Sequence, residues 1–157
     1  MKISGKTRVC AVIGDPVEHS LSPCIHNAAF QHMGLDYAYI AFTVKEDELK
    51  DAVLGARSLG IYGLNVTTPH KVNVLRYLGR LDETARKVGA VNTIVNDGEM
   101  VGYNTDGLGA LSALKAYGVD LQGRKVVVLG AGGASRSISF AVAQEGGNLV
   151  ILNRTPE

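Results

Sequence analysis

The run Gly130-Ala131-Gly132-Gly133-Ala134-Ser135 lies between an apolar stretch at residues 125–129 and a helix-period segment reaching about Gln144, and no other feature narrows the possible folds as much. Each part of it has a use. Gly130 permits a tight turn, Gly132 lets a pyrophosphate approach the backbone, and the start of the helix presents free N–H groups. Ser135 stands where the common dinucleotide pattern has its third glycine, which sets the helix slightly farther from the strand. Residues 148–152 form a second β-rich stretch, so the segment reads as a β-α-β unit. A glycine-rich turn with no ligand is the plain alternative, and the strand-to-helix placement weighs against it.

Upstream, strand-like runs at residues 8–13, 36–44 and 61–66 alternate with helix-period segments at 23–33, 46–59 and 69–78. That order predicts an α/β fold with a mainly parallel open sheet. The first helix starts at Ser22-Pro23, stops at Gly34, and carries Ile25, Ala28, Ala29 and Met33 on one face. A short helix over 82–88 precedes strands at 90–96 and 100–103, joined through Asp97-Gly98 as an antiparallel hairpin. A helix over 105–117 follows, with Leu108, Leu111 and Leu114 in line and Gly118 at its end.

The organisation read from this is a first α/β domain over 1–105, a connecting helix over 106–118, and the start of a Rossmann-type domain over 119–157. A dinucleotide-binding sheet has about six strands, and the stretch up to Glu157 supplies two, so the nucleotide half reads as cut short. Self-association through residues 125–155, or mobility of that segment, and no turnover by the 157-residue form are the corresponding expectations.

Composition excludes several classes. Sixteen Lys and Arg against fifteen Asp and Glu give a net charge of +1, too balanced for a nucleic-acid surface. No apolar stretch approaches a membrane span, and the run at residues 9–13 is shorter than a signal-peptide core. Cys10 and Cys24 read as two buried free thiols in a reducing cytoplasm. His19, His26, His32 and His70 lack metal-ligand spacing, so no metal is expected, and His70 is read as orienting its loop. The six Tyr are scattered and predict no aromatic platform.

Three polar clusters do not read as core. Ser20-Leu21-Ser22-Pro23 sets two hydroxyls at a strand-to-helix turn, suited to a carboxylate or simply to capping the helix. Asn65-Val66-Thr67-Thr68-Pro69-His70-Lys71 follows a strand, where open α/β sheets place ligands, and Asn65, Thr67 and Lys71 are suited to a polyhydroxylated molecule. Asn92 joins Gly102-Tyr103-Asn104-Thr105-Asp106-Gly107. Taken alone, Asp106 in a first helical turn merely suits the helix dipole and Lys71 is a surface charge; as a pair they are suited to exchanging a proton with a ligand hydroxyl. Past the second strand, Asn153-Arg154-Thr155 stands where NAD-specific sites carry a carboxylate, so Arg154 either grips a 2′-phosphate, which selects NADP, or is solvated.

Together with Gly89-Ala90-Val91-Asn92-Thr93 and the glycine run, these motifs resemble the shikimate dehydrogenase family in order and spacing over residues 8–155. The resemblance implies reversible reduction of 3-dehydroshikimate to shikimate with NADP as cofactor. It implies that Ser20 and Ser22 bind the substrate carboxylate, that Asn65, Thr67 and Asn92 bind ring hydroxyls, and that Lys71 and Asp106 form the catalytic pair. It further implies that Gly130, Ala131, Gly132, Gly133, Ala134 and Ser135 hold the pyrophosphate and Asn153, Arg154 and Thr155 the 2′-phosphate. A C-terminal Gln and the nicotinamide-facing half of such enzymes are not in these 157 residues. A quinate-using relative, a non-catalytic shikimate-binding chain and a homodimer remain open.

Overall fold

The computed structural model describes residues 2–154; Thr155 lies outside the described residues. The first part contains β1 (Arg8–Gly14), α1 (Ser22–His32), β2 (Tyr37–Thr43), α2 (Leu49–Ser58), β3 (Gly63–Val66), β4 (Arg80–Leu81), α3 (Glu83–Val88), β5 (Thr93–Asn96) and β6 (Met100–Tyr103). These strands form one sheet in the order β2-β1-β3-β5-β6-β4. β1 is parallel to β2 and β3, and β4 is parallel to β6, while β5 runs antiparallel to both of its neighbours. The chain reversal at Asp97-Gly98, with Gly98 at φ +86°, produces the hairpin that the sequence predicts.

Period-two alternation divides the sheet between two cores. Ala11, Ile13, Leu64, Val66 and Ile94 pack on the face covered by Leu49, Val53 and Ala56 of α2. Cys10, Val12 and Tyr39 occupy the other face, with Phe30 of α1 against them.

Helix α1 departs from its apolar stripe. Ile25 and Met33 are exposed, and no residue of the helix is fully buried. The face turned to the sheet instead carries His26, Asn27 and Phe30. Asn27 accepts from the Tyr39 N–H at 2.9 Å and donates to the Tyr39 carbonyl at 2.8 Å, covering the backbone of the edge strand. The same rotation leaves Cys24 exposed, so only Cys10 fits the reading of two buried thiols; burial pushes the Cys10 thiol up.

Residues 69–78 form a turn and a short 3₁₀ segment, Asn73–Tyr77, rather than a regular helix. Backbone bonds at both ends account for this. His70 N–H donates to the Thr67 carbonyl, and the Lys71 carbonyl accepts from Val91 N–H, which spends that carbonyl outside any helical ladder.

The second part is α4 (Asp106–Ala116), β7 (Lys125–Leu129), α5 (Gly133–Gln144) and β8 (Asn148–Leu152). β7 and β8 are parallel, in register from Lys125↔Asn148 to Leu129↔Leu152. Of the three leucines expected in line on α4, Leu111 is buried with Leu121, Ala141 and Val142, Leu114 packs beside them, and Leu108 is exposed. Val127, Leu129, Ile151 and Leu152 are exposed on β7 and β8. Among the described residues no helix is long and apolar enough to cross a membrane.

Candidate active site

The antiparallel insertion of β5 brings the polar motifs to one sheet edge. The ends of β1, β3 and β6 reach that edge, and so does the start of β5. Asn65 lies in β3, Thr67 just after it, Asn92 just before β5, and Asp106 opens α4 beyond β6.

A continuous hydrogen-bonded chain runs across the edge. The Tyr39 hydroxyl donates to Asn65 Oδ1 at 2.6 Å, and Asn65 Nδ2 donates to Thr93 Oγ1 at 3.2 Å. The Thr93 hydroxyl donates to Asn92 Oδ1 at 3.0 Å, and Asn92 Nδ2 donates to Asp106 Oδ1 at 2.8 Å. Lys71 Nζ donates to Asp106 Oδ2 at 2.5 Å. Both carboxylate oxygens of Asp106 are thereby engaged, one by an amide and one by an ammonium. The Lys71 and Asp106 side chains are 16% and 22% exposed, which leaves the pair shielded from bulk water yet within reach of a small molecule.

Lys71 is held by its neighbours. His70 is fully buried and its Nε2 donates to the Val44 carbonyl at 2.6 Å, anchoring the turn as the sequence reading expects. Thr67 donates its N–H to the Ile13 carbonyl, and its methyl group fills the space beside Gly14, so a side chain at residue 14 would collide with it. Ser20 and Ser22 stand on the turn from β1 into α1, where Ser22 N–H donates to Ser20 Oγ at 3.2 Å.

The rings of His26 and Tyr39 stack at 4.2 Å, Phe30 meets Tyr37 edge-on at 5.2 Å, and Tyr37 lies 5.6 Å from Tyr62. This aromatic cluster corrects the expectation of scattered tyrosines; it assembles only because β2, β1 and β3 are neighbours. Burial pushes the Tyr39 phenol up to about 12, the Cys10 thiol adds to the rise, and a hydrogen bond with Ser22 opposes it.

A consequence for stability follows from that phenol. An unfolded tyrosine ionises at about pH 10. Above that pH the unfolded chain releases a proton that the folded chain keeps, so stability present at lower pH is lost as pH rises towards about 12. The loss across the window is on the order of 2–3 kcal/mol. Absorbance titration is expected to show one tyrosine ionising late, and Tyr39→Phe is expected to abolish that component. A late component that persists in the variant would contradict the assignment.

The nucleotide-type turn adjoins the same place. Gly130 adopts φ +103°, and its N–H donates to the Leu152 carbonyl at 2.7 Å, which sets Asn153 and Arg154 beside the turn. Arg154 is exposed. Gly132 has open space where a side chain would stand, whereas a Cβ on Gly133 would lie 2.7 Å from Lys71 Cβ. The glycine that sequence reasoning gave no separate role is therefore the one that touches the lysine. Tyr39, Thr93 and Thr105 also escaped that reasoning. The signal for Thr105 was its place in the Asn104-Thr105-Asp106 motif; Tyr39 carried none without knowledge of strand order.

Fold and site together define an α/β protein whose polar sheet edge carries a Lys–Asp pair and leads directly into a glycine-turn unit of the dinucleotide-binding kind. The sequence matches the family described as the shikimate dehydrogenase substrate binding domain over residues 12–94, more than half of its length. The chain belongs to that family. It is 54% identical over 153 residues to the shikimate dehydrogenase (NADP(+)) of Methanobrevibacter smithii, covering 97% of this chain and 54% of the relative. A shikimate dehydrogenase solved in complex with NADP+ superposes with a TM-score of 0.93 at 48% identity, covering 98% of this chain and 54% of that one. The shikimate 5-dehydrogenase of Thermus thermophilus, solved in complex with NADP(H) and shikimate, superposes at 0.88 and 40% identity, covering 95% of this chain and 57% of that one. The chain spans about half the length of the curated relatives it matches.

Proposed function

We propose that the full-length gene product is an NADP-dependent shikimate dehydrogenase interconverting 3-dehydroshikimate and shikimate. The observation that carries this reading is the Lys71–Asp106 pair, joined at 2.5 Å, with Gly133 of the nucleotide-type turn packed against Lys71. Residues 1–105 then act as the substrate domain, 106–118 as the connection and 119–157 as part of the cofactor domain.

The turn suits the cofactor: Gly132 leaves room for a pyrophosphate, and α5 begins with no side-chain cap on its N–H groups. In this reading Gly130, Ala131, Gly132, Gly133, Ala134 and Ser135 hold the pyrophosphate, while Asn153 and Arg154 take the 2′-phosphate. When bound, NADPH supplies the hydride. Lys71 supplies the matching proton from Nζ to the carbonyl oxygen of the substrate, on which negative charge builds; the N–H electron pair stays on the nitrogen, and solvent returns the proton. Asp106 fixes the position of Nζ, and Asn92 fixes Asp106. Ser20 and Ser22 take the substrate carboxylate, and Asn65, Thr67 and Asn92 its ring hydroxyls. Tyr39 holds Asn65 from behind.

The enzyme would work in the cytoplasm, and contact between apolar β7–β8 faces is the self-association this reading favours. Steady-state assay of the full-length gene product with shikimate and with quinate, each with NADP⁺ and NAD⁺, tests it; turnover of neither acid would end it. Arg154→Ala is expected to lower the preference for NADP⁺ over NAD⁺ by about 10-fold or more, the worth of a charge-assisted hydrogen bond. An equal loss with both cofactors would reject the role of Arg154.

A further inference from the structure

We infer that Ser137, on the cofactor-side helix α5, is a positioning residue for the Lys71–Asp106 pair, because it caps from outside the helix that carries Asp106. The inference rests on the proton-transfer role proposed for that pair.

A helix leaves its first N–H groups without intrahelical partners, and a side chain just before it usually supplies the acceptor. Thr105 occupies that place on α4 yet makes no cap bond; its hydroxyl is engaged with Asn92. The acceptors are Asn104 and Ser137. Asn104 Oδ1 accepts from Asp106 N–H at 3.1 Å, and Ser137 Oγ accepts from Gly107 N–H at 2.9 Å. The Ser137 hydroxyl in turn donates to Asn104 Oδ1 at 2.5 Å, and Asn104 Nδ2 donates to the Ala90 carbonyl at 2.9 Å. Ser137 and Asn104 are only 2% and 6% exposed, so water does not replace these partners.

Geometry extends the unit to the other member of the pair. Positions 133, 137 and 141 are spaced by four, so they lie along one face of α5. Gly133 touches the Lys71 side chain, Ser137 binds the backbone beside Asp106, and Ala141 lies against Gly107. One face of the helix that opens at the cofactor turn thus fixes both the proton donor and the carboxylate that orients it.

The test compares three variants of the full-length gene product. Ser137→Ala removes the cap, Ser137→Cys keeps the shape with a weaker donor and acceptor, and Ala143→Gly weakens α5 at an exposed position away from that face without removing a side-chain hydrogen bond. A displaced Asp106 is expected to lower kcat about 10-fold in Ser137→Ala, with KM for shikimate within about twofold. Proton transfer then limits turnover more, so the solvent deuterium isotope effect on kcat is expected to rise. Ser137→Cys is expected to fall between wild type and Ser137→Ala, and it decides the matter if the alanine variant does not fold. Ala143→Gly is expected to melt earlier with kcat and isotope effect unchanged. Equal falls in kcat for Ser137→Ala and Ala143→Gly, or an unchanged kcat in Ser137→Ala, would overturn the inference. Intact kcat in Lys71→Ala would instead remove the reading beneath it.

Discussion

Replacing Lys71 with alanine in the full-length gene product is expected to lower kcat by about 10²–10⁴-fold, the range for removing a positioned acid, with KM for shikimate changed by less than about tenfold. The imbalance follows from what Lys71 touches. Its ammonium binds Asp106, and Asn65 and Asn92, which would hold the substrate, are joined to each other through Thr93 without it. Ground-state binding therefore survives better than proton transfer. Asp106→Asn is expected to lower kcat by a smaller factor, since the Lys71 carbonyl keeps its bond from Val91 N–H and the preceding His70 stays tied to the Val44 carbonyl, while Nζ loses its counter-charge. A Lys71→Ala enzyme with normal kcat and a raised KM would show that the lysine binds rather than reacts.

Gly107→Ala is expected to destabilise by about 1–3 kcal/mol even though alanine is the better helix former. A Cβ there would lie 2.6 Å from the Ser137 carbonyl oxygen and 2.9 Å from Ala141 Cβ, and a backbone carbonyl cannot swing aside as a side chain does. Gly109, two residues on in the same helix, has nothing within 4 Å of that position. Gly109→Ala is therefore expected to stabilise by roughly 0.5–1 kcal/mol through helix propensity alone. Denaturant midpoints of the two variants should move in opposite directions. If both rise, the close approach of α4 to α5 is not what holds Gly107.

How legible a part of the molecule was in its sequence depended on how local its determinants are. β7, the glycine turn, α5 and β8 coincide with the stretches read from sequence, because a β-α-β unit is specified within about 30 residues. The Asp97-Gly98 hairpin was legible for the same reason. Lys71, Asp106, Asn92 and Asn65 could be named because each sits in a dense polar motif, and the structure brings these four together. Tyr39 could not be named, since its hydroxyl reaches Asn65 across β1 and only the strand order β2-β1-β3 makes them neighbours. Ser137 is one of several small residues in α5, and its role depends on how α5 crosses α4. The face of α1 was misread because hydropathy outweighs amide chemistry in a periodicity argument, while here Asn27 binding an edge strand decides the rotation.

The reversal of β5 between β3 and β6 has a practical corollary. The polar motifs gather where β5 begins, and the hairpin tip at Asp97-Gly98 stands where it ends, at the opposite margin of the sheet. Asp97, Gly98 and Glu99 are exposed there, so a fluorophore or an affinity tag inserted at that tip would report on the molecule while leaving its chemistry undisturbed.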